Sequence, residues 1–240
     1  MRTSEKPRLN SAEFEGQPTH VRGQARAAWW ASVLASLAAL ISLAVSAHSS
    51  AYFPLDLTVT QALQSRQSPA LDALALGVNW LGYAPQIAIL SGGICLGLWA
   101  VGRRWEGVIF LFGAALEGGA AALIKMLVQR PRPDVPGLHV YQQLGDFAFP
   151  SGHAGSYLLL FGLLAYFIYR QARPAWWRPL ALLGLGGLIL VIGPVRIYLG
   201  EHWLSDVVGG YLLGALSLLL LIRLYRWGQG KFETTPDRSA

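Results

Sequence analysis

Three short stretches of this chain place residues suited to binding an anion where helices should end or begin. In KMLVQRPRP, residues 125–133, Lys125 and Arg132 stand at the close of an apolar run. In FPSGHAG, residues 149–155, Pro150 breaks the incoming loop and Ser151 suits an N-cap. Gly152 lets backbone approach a ligand closely. Free amides and the dipole at such a helix start form an anion site, and His153 in the first turn could reach it. In VRIYLGEHWLSD, residues 195–206, Arg196 precedes His202 and Asp206. The last two are four residues apart, so a helix puts them on one face. A carboxylate on one imidazole nitrogen fixes the tautomer and leaves the other free as nucleophile or base. Each stretch also has an ordinary reading. Lys and Arg snorkel at span ends, His202 and Asp206 can be an interfacial pair, and PSGH can be a helix cap.

These stretches lie between apolar segments. Of the 240 residues, 53% are hydrophobic and 13% charged, where a soluble domain carries about a quarter charged. Mean hydropathy is +0.40. Residues 27–47 hold no charge, enough to cross a hydrocarbon core of about 30 Å. Further spans are expected at 81–101, at 107–127, and at 154–169, 179–195 and 204–222. The 81–101 span has apolar sequence reaching back to Leu71 and Pro85 as a kink. Open sheets cannot span lipid, and barrel alternation is absent. The expectation is an all-α bundle of six transmembrane helices over residues 27–226. Polar tails at 1–26 and 227–240 are expected to be disordered. Val45-Ser46-Ala47 resembles a signal-peptide cleavage site, but the run is long and 26 residues precede it, which favours an uncleaved span.

The net charge of +6 could suggest nucleic acid. Its distribution points to a bilayer instead. With six spans and both termini inside, only Arg66, Lys125, Arg130, Arg132 and Arg196 of the 19 Lys and Arg residues fall outside. Cations gathered on the face that should lack them imply a bound anion. The Trp residues are expected near the interfaces. Cys95, alone, allows no intrachain disulfide.

Taken in order, Lys125-x6-Arg132-Pro133, Pro150-Ser151-Gly152-His153 and Arg196-x5-His202-x3-Asp206 resemble the three-part signature of the type 2 phosphatidic acid phosphatase superfamily of membrane lipid phosphatases. The resemblance implies that Lys125, Arg132, Ser151, Gly152 and Arg196 hold phosphate. It implies that His202 attacks phosphorus, Asp206 orients it, and His153 protonates the leaving oxygen; spacing alone does not order the two His residues. Val195 stands where the family usually has Ser, which removes one hydroxyl donor worth ~1 kcal/mol.

No metal or cofactor is expected, because cationic side chains neutralise the phosphate. The expected partners are a lipid phosphate and the bilayer, with no nucleic acid and no obligatory protein. A bacterial inner-membrane enzyme with a periplasmic site fits, acting on undecaprenyl pyrophosphate by family analogy, or on phosphatidylglycerophosphate or phosphatidic acid. A catalytically silent lipid-binding or transport protein is the alternative; intact His153, His202 and Asp206 count against it. Soluble vanadium haloperoxidases of the same superfamily are disfavoured by the six spans. Arg130 reads as an exposed loop cation, and His48 and His139 as loop residues. Glu117, inside a span, reads as one half of an interhelical hydrogen bond, with Gly113, Gly118 and Gly119 permitting close packing.

The charge asymmetry makes a topological prediction. A cysteine at Gln142, with Cys95 replaced, should be labelled in intact spheroplasts by a membrane-impermeant reagent. Labelling only after lysis would place this face in the cytoplasm.

Overall fold

Proline and glycine set most of the helix limits. A computed structural model describes residues 19–170 and 175–232, and these are helical apart from their connections. Helix α1 spans Thr19–His48 and begins upstream of the expected span start. The expectation for residues 1–18 lies outside the described residues. A short helix, α2 (Pro54–Gln64), follows with Pro54 in its first turn, where no N–H is needed. Asp56 accepts the Phe53 N–H at 2.9 Å and caps this start. Helix α3 (Pro69–Trp80) is capped by Ser68, whose hydroxyl accepts from the Leu71 N–H at 3.3 Å.

The expected second span is broken. Helix α4 (Ala84–Ala100) continues from α3 after three residues, and the two are bent by 56°. The break lies ahead of Pro85, which sits in the first turn of α4 and causes no kink within it. Gly82 is needed there: a Cβ would overlap the His153 ring.

Helix α5 spans Arg104–Val128 and stops at Gln129, whose left-handed backbone (φ 52°) closes it. Helix α6 is Gly152–Tyr169, α7 is Arg178–Tyr198 and α8 is Leu204–Phe232. Gly200, φ 68°, turns the chain from α7 to α8, and a Cβ there would run into the His139 carbonyl. The α8 helix extends past the expected span end. Among the described residues five helices are long and apolar enough to cross a membrane, or six where the bent α3–α4 pair is counted as one span. The protein is an all-helical, multi-span membrane protein.

Helix α6 is the centre. It packs on α5, α7 and α8 and buries Tyr157, Leu159, Leu160, Phe161, Leu163 and Phe167. Its crossing with α8 is set by glycine. A Cβ on Gly214 would stand 2.6 Å from the Gly155 carbonyl oxygen, and one on Gly210 would overlap the Ser151 carbonyl. Backbones can therefore approach as in other small-residue contacts between membrane helices. On the facing side, Ser156 donates to Glu117 Oε2 at 2.6 Å, the interhelical bond expected for Glu117. Of the glycines expected to serve close packing, Gly113 does so against Leu221, whereas Gly118 and Gly119 face open space.

The crossing predicts a stability difference. Gly214→Ala should destabilise the bundle by about 1–3 kcal/mol, the usual cost of overpacking, seen as earlier thermal unfolding in detergent. Gly184→Ala, with nothing within 4 Å of the added Cβ, should not lower the transition.

Candidate active site

The end of α5, the start of α6, the end of α7 and the start of α8 meet at one end of the bundle. That meeting joins the three motifs. Ser151 donates its backbone N–H to the Asp206 carbonyl at 2.9 Å, which ties the α6 start to the first turn of α8. Lys125, Arg132, Arg196 and His153 all lie close enough to His202 to act on its charge.

His202 is buried between a carboxylate and a guanidinium. Its Nδ1 is 3.6 Å from Asp206 Oδ2, and its Nε2 is 3.3 Å from Arg132 Nη1. A guanidinium can only donate, so Nε2 carries the lone pair and the ring proton sits on Nδ1, toward Asp206. Burial first, then the charges of Arg196 and Arg132, hold the imidazole well below the usual histidine range. His202 is therefore neutral, with the Nε2 lone pair turned toward Arg132. Asp206 is fixed in turn by the Trp203 N–H, 2.9 Å from Oδ2. Trp203, expected at an interface, is buried and packs on Tyr52.

His153, in the first turn of α6, is held differently. Its Nε2–H donates to the Asn79 carbonyl at 3.2 Å, and its ring meets Tyr83 edge-on at 5.2 Å. Ser151 occupies the N-cap position of α6, but its hydroxyl caps nothing: Oγ is buried without a partner. A Cβ on Gly152 would meet open space. A buried, unused hydroxyl beside an open glycine at a helix start suits an incoming anion.

The three expected phosphate cations each hold a carboxylate. Lys125 Nζ donates to Asp146 Oδ2 at 2.7 Å and to the Phe147 carbonyl at 2.5 Å. Arg132 Nη2 donates to Asp146 Oδ1 at 2.5 Å, and its Nη1 to the Glu201 carbonyl at 2.6 Å. Arg196 forms an ion pair with Glu201 and donates to Asn79 Oδ1 at 2.5 Å. Burial pushes the Asp146 carboxyl up, but the Lys125 hydrogen bond and the charges of Lys125 and Arg132 outweigh it and hold the group below the usual range. Burial raises Glu201 against the pull of Arg196 and Arg132.

Sequence reasoning missed four of these residues. Asn79, Asp146 and Glu201 touch the motif residues, and Asp56 lies one step behind them. Asn79 was visible as a polar residue in the apolar run ALGVNWLG. Asp146 and Glu201 carried no signal, since loop carboxylates are common. Asp56 was not singled out in the sequence. Arg130 was misplaced. It is no exposed loop cation: its side chain is fully buried and pairs with Asp56 at 2.9 Å and Asp206 at 2.6 Å. Only the folded chain brings those two acids to it. His139 lies in a loop as expected, whereas His48 ends α1 and donates to the Val128 carbonyl at 3.0 Å.

The comparisons with known proteins agree with this geometry. The PAP2 superfamily model matches residues 106–229, more than half of the chain and all three motifs. The chain belongs to the PAP2 superfamily. It is 27% identical over 180 residues to phosphatidylglycerophosphatase B of Bacillus subtilis (strain 168), covering 75% of this chain and 87% of that one. It is 32% identical over 169 residues to decaprenylphosphoryl-5-phosphoribose phosphatase of Mycobacterium tuberculosis (strain ATCC 25618 / H37Rv), covering 67% and 85%. The crystal structure of a transmembrane PAP2 type phosphatidylglycerolphosphate phosphatase from Bacillus subtilis superposes with a TM-score of 0.72 at 22% identity, over 86% of this chain and 98% of that one, so the fold is shared. Proteins similar to this PAP2 member are lipid phosphatases.

Asp146 pairs with two of the cations expected to hold phosphate, with its side chain more than half exposed. In Asp146→Asn, orthovanadate should bind more tightly by roughly three- to tenfold, the worth of a partly screened ion pair. A higher inhibition constant would instead make Asp146 a support for Lys125 and Arg132.

Proposed function

We propose that this PAP2 protein removes phosphate from a membrane lipid through a phosphohistidine on His202, without a metal. The orientation of His202, with Nδ1 toward Asp206 and Nε2 toward Arg132, is the observation that supports this most directly. In this reading Nε2 attacks phosphorus in line as the bond to the leaving oxygen breaks. The ring becomes cationic, and Asp206 stabilises it. Lys125, Arg132, Arg196 and the Ser151 hydroxyl take the charge spread over the equatorial oxygens. His153, protonated also at Nδ1 when substrate is bound, keeps its Nε2–H on the Asn79 carbonyl and gives the Nδ1 proton to the leaving oxygen; Nδ1 then takes one from the water that cleaves the P–N bond. Phosphate release restores neutral His202.

The substrate reading is a phosphate or pyrophosphate on a lipid whose tail stays in the bilayer. The site at one end of the bundle supports it, since a head can enter there while the tail remains beside apolar helices. The Lys and Arg asymmetry supports a periplasmic face. By name, the relatives act on a phosphatidylglycerophosphate and a decaprenylphosphoryl-phosphoribose. Both sit beside undecaprenyl pyrophosphate, which the family resemblance favours, as substrates to test.

The two His residues should separate by leaving group. An alkoxide from phosphatidic acid needs a proton, whereas phosphate leaving from a prenyl pyrophosphate needs it less. With EDTA present throughout, wild type should turn over both. His202→Ala should lose both, together with the acid-labile phosphoenzyme seen by rapid quench. His153→Ala should lose more kcat/KM on phosphatidic acid than on the pyrophosphate. Equal losses for His153→Ala, a phosphoenzyme in His202→Ala, or loss of activity on chelation with recovery in magnesium would overturn the respective assignments.

A further inference from the structure

Behind Asp206 lies a second carboxylate on the same guanidinium. Arg130 comes from the loop after α5, Asp56 from α2, and Asp206 from α8, and all three side chains are buried. Arg130 Nη1 donates to Asp206 Oδ1 and to Ser205 Oγ, each at 2.6 Å, and Nη2 donates to Asp56 Oδ2 at 2.9 Å. Its Nε–H donates to the Ser50 carbonyl at 3.2 Å, and the guanidinium lies over the Phe53 ring. Asp56 is surrounded by donors. Oδ2 also accepts from Ser205 Oγ at 2.8 Å and the Phe53 N–H at 2.9 Å, and Oδ1 accepts from the Ser205 N–H at 2.8 Å. Only an acceptor-only side chain, a carboxylate, satisfies all of them.

We propose that Asp56 and Arg130 are positioning residues for the reaction: they hold Asp206 and set how much negative charge it presents to His202. The proposal rests on the reading of His202 as nucleophile. Arg130 with Asp206 alone would be a neutral pair, and a neutral pair does little for a cation forming on the His202 ring. Asp56 takes the other edge of the guanidinium. The three groups then carry a net charge of −1, buried behind Nδ1–H. In a site of low dielectric that surplus favours the imidazolium that appears as Nε2 bonds phosphorus. The guanidinium fork also fixes the Asp206 plane, so that Oδ2 stays toward His202.

Other charges act on His202. Lys125, Arg132, Arg196 and His153 oppose its protonation, and Glu201 stands beside Arg196. None of them touches Asp56, so they stay constant when Asp56 is changed. Losing its charge leaves Arg130 to neutralise Asp206. The proton affinity of His202 then falls, and the acid limb of kcat/KM moves to lower pH. A clamp that merely tied α2 to the start of α8 would not move that limb.

The test uses the full chain in detergent: wild type, Asp56→Asn and Arg130→Lys. Arg130→Lys keeps one positive charge but cannot bridge two carboxylates. Folding is followed by monodisperse elution and thermal melting. The readouts are the rapid-quench rate of acid-labile phosphoenzyme, the orthovanadate inhibition constant, and kcat/KM against pH. Both variants should form phosphoenzyme about tenfold more slowly, as expected where support of an imidazolium is weakened. Vanadate binding should stay within about twofold, because the phosphate cations are untouched. Asp56→Asn should shift the acid limb to lower pH. If Asp56→Asn does not fold, Arg130→Lys decides by the phosphoenzyme rate. Wild-type phosphoenzyme rates in a folded variant, or losses confined to vanadate binding with the acid limb unmoved, would overturn the proposal. A wild type that forms no acid-labile phosphoenzyme would overturn the nucleophile assignment itself, and this proposal with it.

Discussion

Burying charge at one end of an apolar bundle is the constraint around which this structure is arranged. An unpaired buried ion costs several kcal/mol, and the chain brings four cations to one place. Each is answered by carboxylates from a different element. Arg130 is shared by Asp56 and Asp206, Arg196 is paired with Glu201, and Lys125 and Arg132 converge on Asp146. The pairs differ in accessibility. The Arg130 pairs are sealed, whereas the Asp146 carboxylate is open to exchange. That gradient separates a sealed part of the site from a part open to solvent.

Helix contacts decide how closely the charged groups meet. Gly155, Gly210 and Gly214 let α6 and α8 approach until the Ser151 N–H reaches the Asp206 carbonyl. The start of one span is thus fixed to the start of the other. The broken second span serves the same end from the opposite side. At the end of α3 the Asn79 carbonyl accepts the Gly82 N–H at 3.0 Å and, in addition, the His153 Nε2–H at 3.2 Å. The Asn79 side chain meanwhile accepts from Arg196. A residue larger than glycine at position 82 would have displaced the His153 ring.

The arrangement suits a substrate that is amphipathic. The paired cations of the site lie at one end, while helix flanks carry exposed Leu and Ile side chains such as Leu74, Ile89 and Leu123. A phosphate head and an apolar tail would meet complementary surroundings without the tail leaving the bilayer. The shared fold and family place the protein among lipid phosphatases.

The sequence by itself determined the class of the molecule and most of its chemistry. Spans are legible because lipid demands long uncharged helices, and the motif residues stand out because cations and histidines are costly beside such helices. Lys125, Arg132, His153, Arg196, His202 and Asp206 were visible on those grounds. Glu117 was legible for the same reason, as a carboxylate that had to find a partner. What only the tertiary structure decided is which charges are paired. Arg130 looked like a solvated loop residue because its partners are more than 70 positions away on either side. Asp56 caps α2 and also holds Arg130, a pairing that only the fold creates. The bend was legible only as a kink at Pro85, whereas the chain breaks ahead of it, and the open Ser151 hydroxyl was invisible. Local sequence permits a cap and a continuous span, and it is long-range packing against His153 and α8 that selects otherwise.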